Sequence, residues 1–335
     1  MRRYAIILMW LFLTLPMAAG GITKVGTTSA NFMKIGLSSR IESMGGAYAG
    51  LGDDIASLQL NPAGMARCQS QAMFTYVDWL AETQFNYFGL LMNLNQFGSI
   101  GLGISTFSSG DMAVRTTSQP EGTGEMFSTS SFAVSLSYGR NLTDRFAIGG
   151  TAKYIHERVW HMNTGTMAFD IGTLFTTPFW GVQLGAYVAN FGSNLKLSGR
   201  DSKFGYDPDQ ENEGTAELVN AEYELESHPL PLQFRVGIGK RMDMGAFSQL
   251  TAAIDAVHPN DNTEYINTGL EYGFKKMVFL RVGYKNMFEK DGEQGLTFGA
   301  GLNYRFGQSW MVVDYAYSEF NRLDYAQRIS LGIKF

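Results

Sequence analysis

Leu296-Thr297-Phe298-Gly299-Ala300-Gly301-Leu302-Asn303-Tyr304-Arg305-Phe306 sorts into two faces. Leu296, Phe298, Ala300, Leu302, Tyr304 and Phe306 share one parity, and Thr297, Gly299, Gly301, Asn303 and Arg305 share the other. A period of two is the mark of a strand whose faces meet unlike surroundings. The chain end repeats it, with Ile329, Leu331, Ile333 and Phe335 set against Arg328, Ser330, Gly332 and Lys334. So does the stretch from Ser131 to Tyr138, where Phe132, Val134, Leu136 and Tyr138 alternate with Ser131, Ala133, Ser135 and Ser137.

Carried outward, this reading predicts strands near 73–80, 84–92, 98–106, 131–139, 145–156, 166–175 and 180–190. Seven more are predicted near 232–240, 247–257, 264–274, 277–285, 295–305, 309–317 and 325–335. Alternation suits a soluble sandwich as well as a membrane barrel, so the connections decide between them. Those after even-numbered strands are short (93–97, 140–144, 176–179, 241–246, 275–276, 306–308), whereas 107–130 and 191–231 follow odd-numbered ones. Short turns on one rim and long loops on the other are expected of an outer-membrane barrel, and a Greek-key sandwich has no reason to keep that parity. Asp170, Arg235, Asp255, Glu271, Arg281, Arg305, Asp314 and Arg328 all fall on the small-residue parity. That matters because a lipid-facing charge at mid-membrane costs ~2 to 4 kcal/mol. Tyr138, Phe146, Phe175, Trp180, Phe274 and Phe279 flank short turns and read as an interfacial girdle. The expected fold is an all-β, fourteen-stranded antiparallel transmembrane β-barrel, spanning 72–335.

Composition agrees. Glycine supplies 39 of 335 residues and charged residues only 17%, against ~7% and ~25% in ordinary soluble domains. Hydrophobics at 45% exclude intrinsic disorder, and a mean hydropathy of -0.09 is too polar for a helical membrane protein. A net charge of -5 leaves no basic surface for a phosphate backbone, which excludes nucleic acid as a partner. The single cysteine, Cys68, reads as a small buried thiol.

Arg2 and Arg3 precede the apolar run Tyr4 to Leu15, and Pro16-Met17-Ala18-Ala19-Gly20 offers small residues for cleavage. As a helix the run rises only ~18 Å, too little to cross a ~30 Å hydrocarbon core, so residues 1–20 are expected to be an export signal. Residues 21–71 differ in kind from the rest, with Gly45-Gly46, Asp53-Asp54 and Asn61-Pro62-Ala63-Gly64 punctuating short apolar pieces. Asp53 or Asp54 caps a short helix that Pro62 stops. A compact piece before a barrel is best placed inside it as a plug.

The runs Lys24-Val25-Gly26-Thr27, Ala30-Asn31-Phe32-Met33-Lys34-Ile35-Gly36, Ser43-Met44-Gly45-Gly46-Ala47, Asp53-Asp54 and Asn61-Pro62-Ala63-Gly64-Met65 resemble the N-terminal signature of the PorV/PorQ family. That family belongs to the broader group of FadL-like outer-membrane barrels. Gln59-Leu60 stand where the signature usually has Trp or Tyr. The resemblance implies a fourteen-stranded barrel in the cell outer membrane with an internal hatch. Its plug motif would comprise Ser43, Met44, Gly45, Gly46, Asp53, Asp54, Asn61, Pro62, Ala63 and Gly64. It also implies a role in type IX protein secretion, binding and shuttling cargo through C-terminal signal domains and handing it to surface attachment proteins. Relatives that transport hydrophobic small molecules supply a second reading, and a purely structural barrel a third. Phe335 resembles the terminal aromatic read by the barrel assembly machinery; outer-membrane lipids would be the other partner.

No catalytic constellation accompanies these features. His156, His161, His228 and His258 are scattered, and neither a Gly-x-Ser-x-Gly elbow nor a His-Glu-x-x-His pair occurs. Asp201 to Glu226 holds nine carboxylates and one lysine, yet Gly214 stands past the turn position of a calcium loop, so a solvated acidic loop is expected. The pairs Gly101/Gly103, Gly237/Gly239 and Gly299/Gly301 open no helix and read as inward positions that make room for the plug. No enzyme activity, cofactor or metal is expected.

Overall fold

A computed structural model describes residues 24–208, 219–290 and 292–335. The export signal expected at 1–20, and Asp209, Glu211 and Glu213 of the acidic stretch, lie outside the described residues. The first half of the barrel is β1 (Gln71–Asp78), β2 (Gln84–Asn93), β3 (Ser99–Ser108), β4 (Thr129–Thr143), β5 (Phe146–Val159), β6 (Met162–Thr176) and β7 (Gln183–Gly192). The second half is β8 (Gln233–Asp243), β9 (Ser248–Pro259), β10 (Tyr265–Phe274), β11 (Val278–Met287), β12 (Leu296–Phe306), β13 (Ser309–Glu319) and β14 (Tyr325–Lys334). Each pairs antiparallel with its chain neighbours, and β1 pairs with β14 from Gln71↔Lys334 to Asp78↔Gln327, closing the ring. Closure leaves no unpaired edge, the condition for a sheet to stand in lipid.

The alternation read in the sequence becomes two surfaces. Outward residues such as Leu136, Ile171, Leu280, Leu302 and Leu331 are more than half exposed, a continuous apolar belt that only lipid can cover. Inward, Asp170, Arg235, Asp255, Glu271, Arg281, Asp314 and Arg328 are buried, while Arg305 is exposed near the inner rim. Phe97, Phe179, Trp180, Phe247 and Phe306 are exposed at the short turns and build the aromatic rim. Phe279 is not part of it: Val278 and Leu280 take the outward parity, so Phe279 turns inward under the Arg281 guanidinium.

The alternation of short and long connections is less regular than the sequence suggested. β4, β5 and β6 run 15, 14 and 15 residues, and β5 and β6 are joined by Trp160-His161 alone. His156 therefore lies within a strand rather than beside a loop. The long connection after β7 leans on this tall hairpin, with Ser198 and Gly199 paired to Asn163 and Met162. It then projects as a small ribbon of Lys203–Tyr206 paired with Val219–Glu222.

Residues 24–70 occupy the lumen as four short helical turns, Asn31–Lys34, Ser39–Glu42, Ile55–Leu58 and Pro62–Arg67. The Asp54 carboxylate accepts from the Ala56 N–H at the start of the third, as the sequence suggested. Pro62 does more than stop that turn. It is the first residue of the fourth turn, which Asn61 caps by accepting from the Ala63 N–H, and proline suits that place because its missing N–H is unneeded there.

The wall accommodates this segment with glycines. An added Cβ at Gly283 would lie 2.1 Å from the Gly45 nitrogen, at Gly185 1.7 Å from the Ala49 oxygen, and at Gly149 2.3 Å from the Pro62 carbonyl carbon. Gly101, Gly237, Gly239 and Gly299 likewise give space to Leu58, Ala49, Gly50 and Ser43, while Gly103 and Gly301 make room for wall side chains. Gly45 must itself be glycine, since it has φ of 66° and its hydrogen faces the Thr268 and Tyr284 carbonyls. The plug also spans the closing seam: the Ser330 hydroxyl on β14 meets both the Ser39 N–H and hydroxyl and the Thr75 hydroxyl on β1.

Candidate functional site

The plug divides the lumen. An outer cavity of about 680 Å³ is floored by Ala30 to Gly36 and walled by the outer ends of the strands. An inner cavity of about 470 Å³ lies against Arg40, Asp53 and Asp54 and the inner strand ends.

Ion pairs hold the plug between them. Arg40 bonds Glu271 on β10 in a two-pronged pair at 2.8 and 2.9 Å and reaches Asp53 at 2.8 Å and Asp54 at 2.6 Å. Glu271 also accepts from Arg281 at 2.7 Å, and Arg281 bonds Asp314 at 2.6 Å; Arg241 on β8 closes on Asp53. A second set joins Glu42 to Lys285 at 2.8 Å and to Arg328 at 3.6 Å. Burial opposes ionisation of the Glu42 carboxyl, but Lys285 and Arg328 outweigh it and hold it below the usual carboxylate range. A third set joins Lys34 to Asp261 at 2.5 Å, with the Thr28 hydroxyl on the same carboxylate at 2.6 Å. Asp255 accepts from the Tyr48 and Ala49 N–H groups at 2.8 and 2.9 Å. Such geometry offsets part of the cost of burying charge, because most of these carboxylates meet two or more donors, although Asp255 Oδ1 and Arg328 Nη2 have no hydrogen bond.

The residues of the plug motif come together, and each has a structural partner. Ser43 donates to the Arg40 carbonyl, Met44 is wholly buried, the Gly45 N–H donates to Thr297, and the Gly46 carbonyl accepts from Arg235. Asp53 and Asp54 face Arg40. Asn61 donates to the Ala49 and Thr173 carbonyls, Pro62 and Ala63 pack over Gly149, and Gly64 lies against Gly52. Burial pushes the Cys68 thiol up to about 12, and its sulfur donates to the Gly64 and Asp54 carbonyls, so it is the inert buried thiol expected. Phe335 sits at the inner rim with its N–H on the Ser70 carbonyl and its ring exposed. Among the described residues no His, Cys, Asp and Glu cluster could hold a metal ion.

Sequence reasoning missed the outer cavity. One side is apolar, with Phe32, Met33 and Ile35 of the plug beside Trp79 and Phe107. The other is polar and is built at two β-bulges. Between Ile266/Met287 and Thr268/Tyr284, Asn267 faces both Lys285 and Asn286; between Phe169/Phe191 and Ile171/Val188, Asp170 faces Ala189 and Asn190. Asn286 and Asn190 have φ of 57° and 62°, a region that asparagine tolerates better than most residues. On strand parity both would face lipid; the extra residue turns them into the cavity. The available signal was the failure of alternation at 190 and at 286, where the predicted strands stop.

No family model and no curated protein matches this sequence. Solved structures do. The CymD monoaromatic hydrocarbon channel aligns over 90% of this chain and 98% of its own at 12% identity, with a TM-score of 0.53. A Pseudomonas aeruginosa FadL homologue covers 89% and 98% at 10% identity and 0.53. The Pseudomonas putida toluene transporter TodX covers 89% and 97% at 10% identity and 0.53. Likeness at this identity is one of fold. Fold and belt together define a plugged, fourteen-stranded barrel whose fold is like that of the FadL homologue, and they place it in the cell outer membrane. The narrower PorV/PorQ resemblance of residues 24–66 has no counterpart among these matches.

Proposed function

We propose that the protein takes small hydrophobic molecules into its outer cavity and passes them inward past the plug. The observation that carries this reading is the outer cavity with an apolar side of Phe32, Met33, Ile35, Trp79 and Phe107 above a plug held by ion pairs. Its volume lies in the ~300 to 1,000 Å³ range of small-molecule sites. The solved barrels of like fold include a monoaromatic hydrocarbon channel and a toluene transporter, in agreement with it. Porin-poor cells carrying the protein should take up labelled toluene several-fold faster than cells without it, and Phe107→Glu should remove the gain. No gain from correctly assembled protein would refute the reading.

A second reading, capture of secreted cargo, is favoured by one observation. The outer ribbon exposes Phe204 stacked on Tyr223 with centroids 4.6 Å apart, an aromatic pair with no packing role in the barrel. Deleting 198–227 separates the two: toluene uptake persists under the first, and binding of cargo C-terminal domains is lost under the second. We also propose that Phe335 serves as the assembly signal. Its ring packs into no core, so removing it should lower the amount of heat-modifiable barrel in the outer membrane without lowering total synthesis. Unchanged barrel levels would refute that role.

A further inference from the structure

We propose that the inner rim of the barrel binds an anionic phospholipid, whose phosphate meets Lys275, Lys276 and Lys240 and whose acyl chains lie along the outward faces of β10 and β11.

The net charge of -5, which concealed any basic surface in the sequence, is unevenly placed. Asp201 to Glu226, in the long outer connection, holds nine carboxylates and one lysine. The short inner turns and the strand ends beside them instead carry Arg140, Arg145, Lys240, Lys275, Lys276 and Arg305 against Asp144 and Asp243. Among the described residues none of these six cations pairs with a carboxylate; Asp53 of the plug takes Arg241, and Asp243 accepts from Gln249.

Lys275 and Lys276 form the whole turn between β10 and β11, with φ of 51° and 57° and the Met277 N–H closing on the Phe274 carbonyl at 3.0 Å. A two-residue turn with both φ positive is the natural place for Asn-Gly, because a lysine side chain crowds the left-handed backbone. Among the described residues the two ammonium groups make no hydrogen bond in return. What lysine supplies at both positions is charge at the membrane edge.

Aromatic rings fix the height of that charge. Lys275 Nζ stands 5.5 Å from the centre of the Phe247 ring and 5.4 Å from that of Phe274, and Lys240 Nζ stands 5.7 Å from that of Trp180. Phe247 and Trp180 belong to the exposed rim, and such rings lie at headgroup level. A ring face attracts an ammonium without neutralising it, so the charge is still free for a phosphate. Leu270, Tyr272 and Phe274 on β10 and Val278 and Leu280 on β11 are exposed on the lipid-facing parity, which Lys240 shares with Val236 and Ile238. A soluble anion would use the lysines and leave this apolar surface bare, whereas a phospholipid covers both. A zwitterionic head brings its own ammonium against the lysines, so a head of net negative charge is favoured.

The test is native mass spectrometry of the folded full chain, released from micelles that hold equal amounts of phosphatidylglycerol and phosphatidylethanolamine with the same acyl chains. Phosphatidylglycerol should be retained about fivefold over phosphatidylethanolamine or better, the attraction of about one lysine for one anionic head. Lys275→Asn with Lys276→Gly gives the turn the pair it favours while removing both charges. Together with Lys240→Gln it should bring the two lipids to equal retention while heat-modifiable mobility persists. Equal retention by the unaltered protein, or a triple variant that keeps the preference, would overturn the assignment. Displacement of phosphatidylglycerol by millimolar inorganic phosphate, but not by sodium chloride of the same ionic strength, would show a site for a free anion and would overturn the lipid reading as well.

Discussion

Gly283→Phe should convert a barrel that conducts little into one that passes ions steadily in planar bilayers, an increase on the order of tenfold or more. Some fourteen strands enclose more space than wall side chains fill, so what blocks the lumen is the plug. At Gly283 even a methyl group would press on the Gly45 nitrogen at 2.1 Å and the Met44 carbonyl carbon at 2.2 Å. One of the two must move. β11 is held by ladders to β10 and β12 on both sides, whereas the Met44-Gly45 turn is held by fewer bonds, so the turn yields. Retained heat-modifiable mobility would show that the wall is still closed. Unchanged low conductance from such a barrel would mean that the plug is not what closes the lumen.

Glu271→Ala should be the most destabilising single change among the wall charges. It removes the acceptor shared by Arg40 and Arg281, leaving two guanidinium groups close together in a site where Glu271 is 3% exposed. Removing one partner of a buried ion pair costs about 3 to 5 kcal/mol, and the lower end applies because the inner cavity admits water. Denaturant unfolding of the protein in lipid vesicles measures the loss. Glu271→Gln should cost less, since it keeps an acceptor. Adding Arg40→Ala to Glu271→Ala should recover part of the loss, because the unpaired cation is then gone. Full stability of Glu271→Ala would show that Asp53, Asp54 and Asp314 carry the network without it.

The barrel was legible because lipid and lumen impose opposite demands on successive residues, and Leu296 to Phe306 records both. Legibility ended where those demands ended. The upper parts of β4, β5 and β6 rise past the apolar belt, so Thr129, Glu157 and Asn163 carry no alternation although their ladder continues. At Asn190 and Asn286 the alternation breaks because the strand bulges, and a bulge looks like an ending in sequence. Glu271, Arg281 and Asp314 could be assigned to the inner face by parity, but Arg40 and Glu42 gave no sign of meeting them. Those contacts depend on how a segment without periodicity folds back across the wall. Phe279 was misplaced because nearness to a turn was given more weight than its parity with Arg281.

The bonds at Ser330 bear on how the ring is held shut. β1 and β14 are the first and last strands of the ring, so theirs is the one junction between strands far apart in sequence. Thr75 and Ser39 both come from the beginning of the chain and both converge on one hydroxyl near its end. The plug thereby clasps the final strand against the first at the seam of the ring. What fills the lumen and what joins the ring's two ends thus share one hydroxyl, so a change at Ser330 would be felt by both.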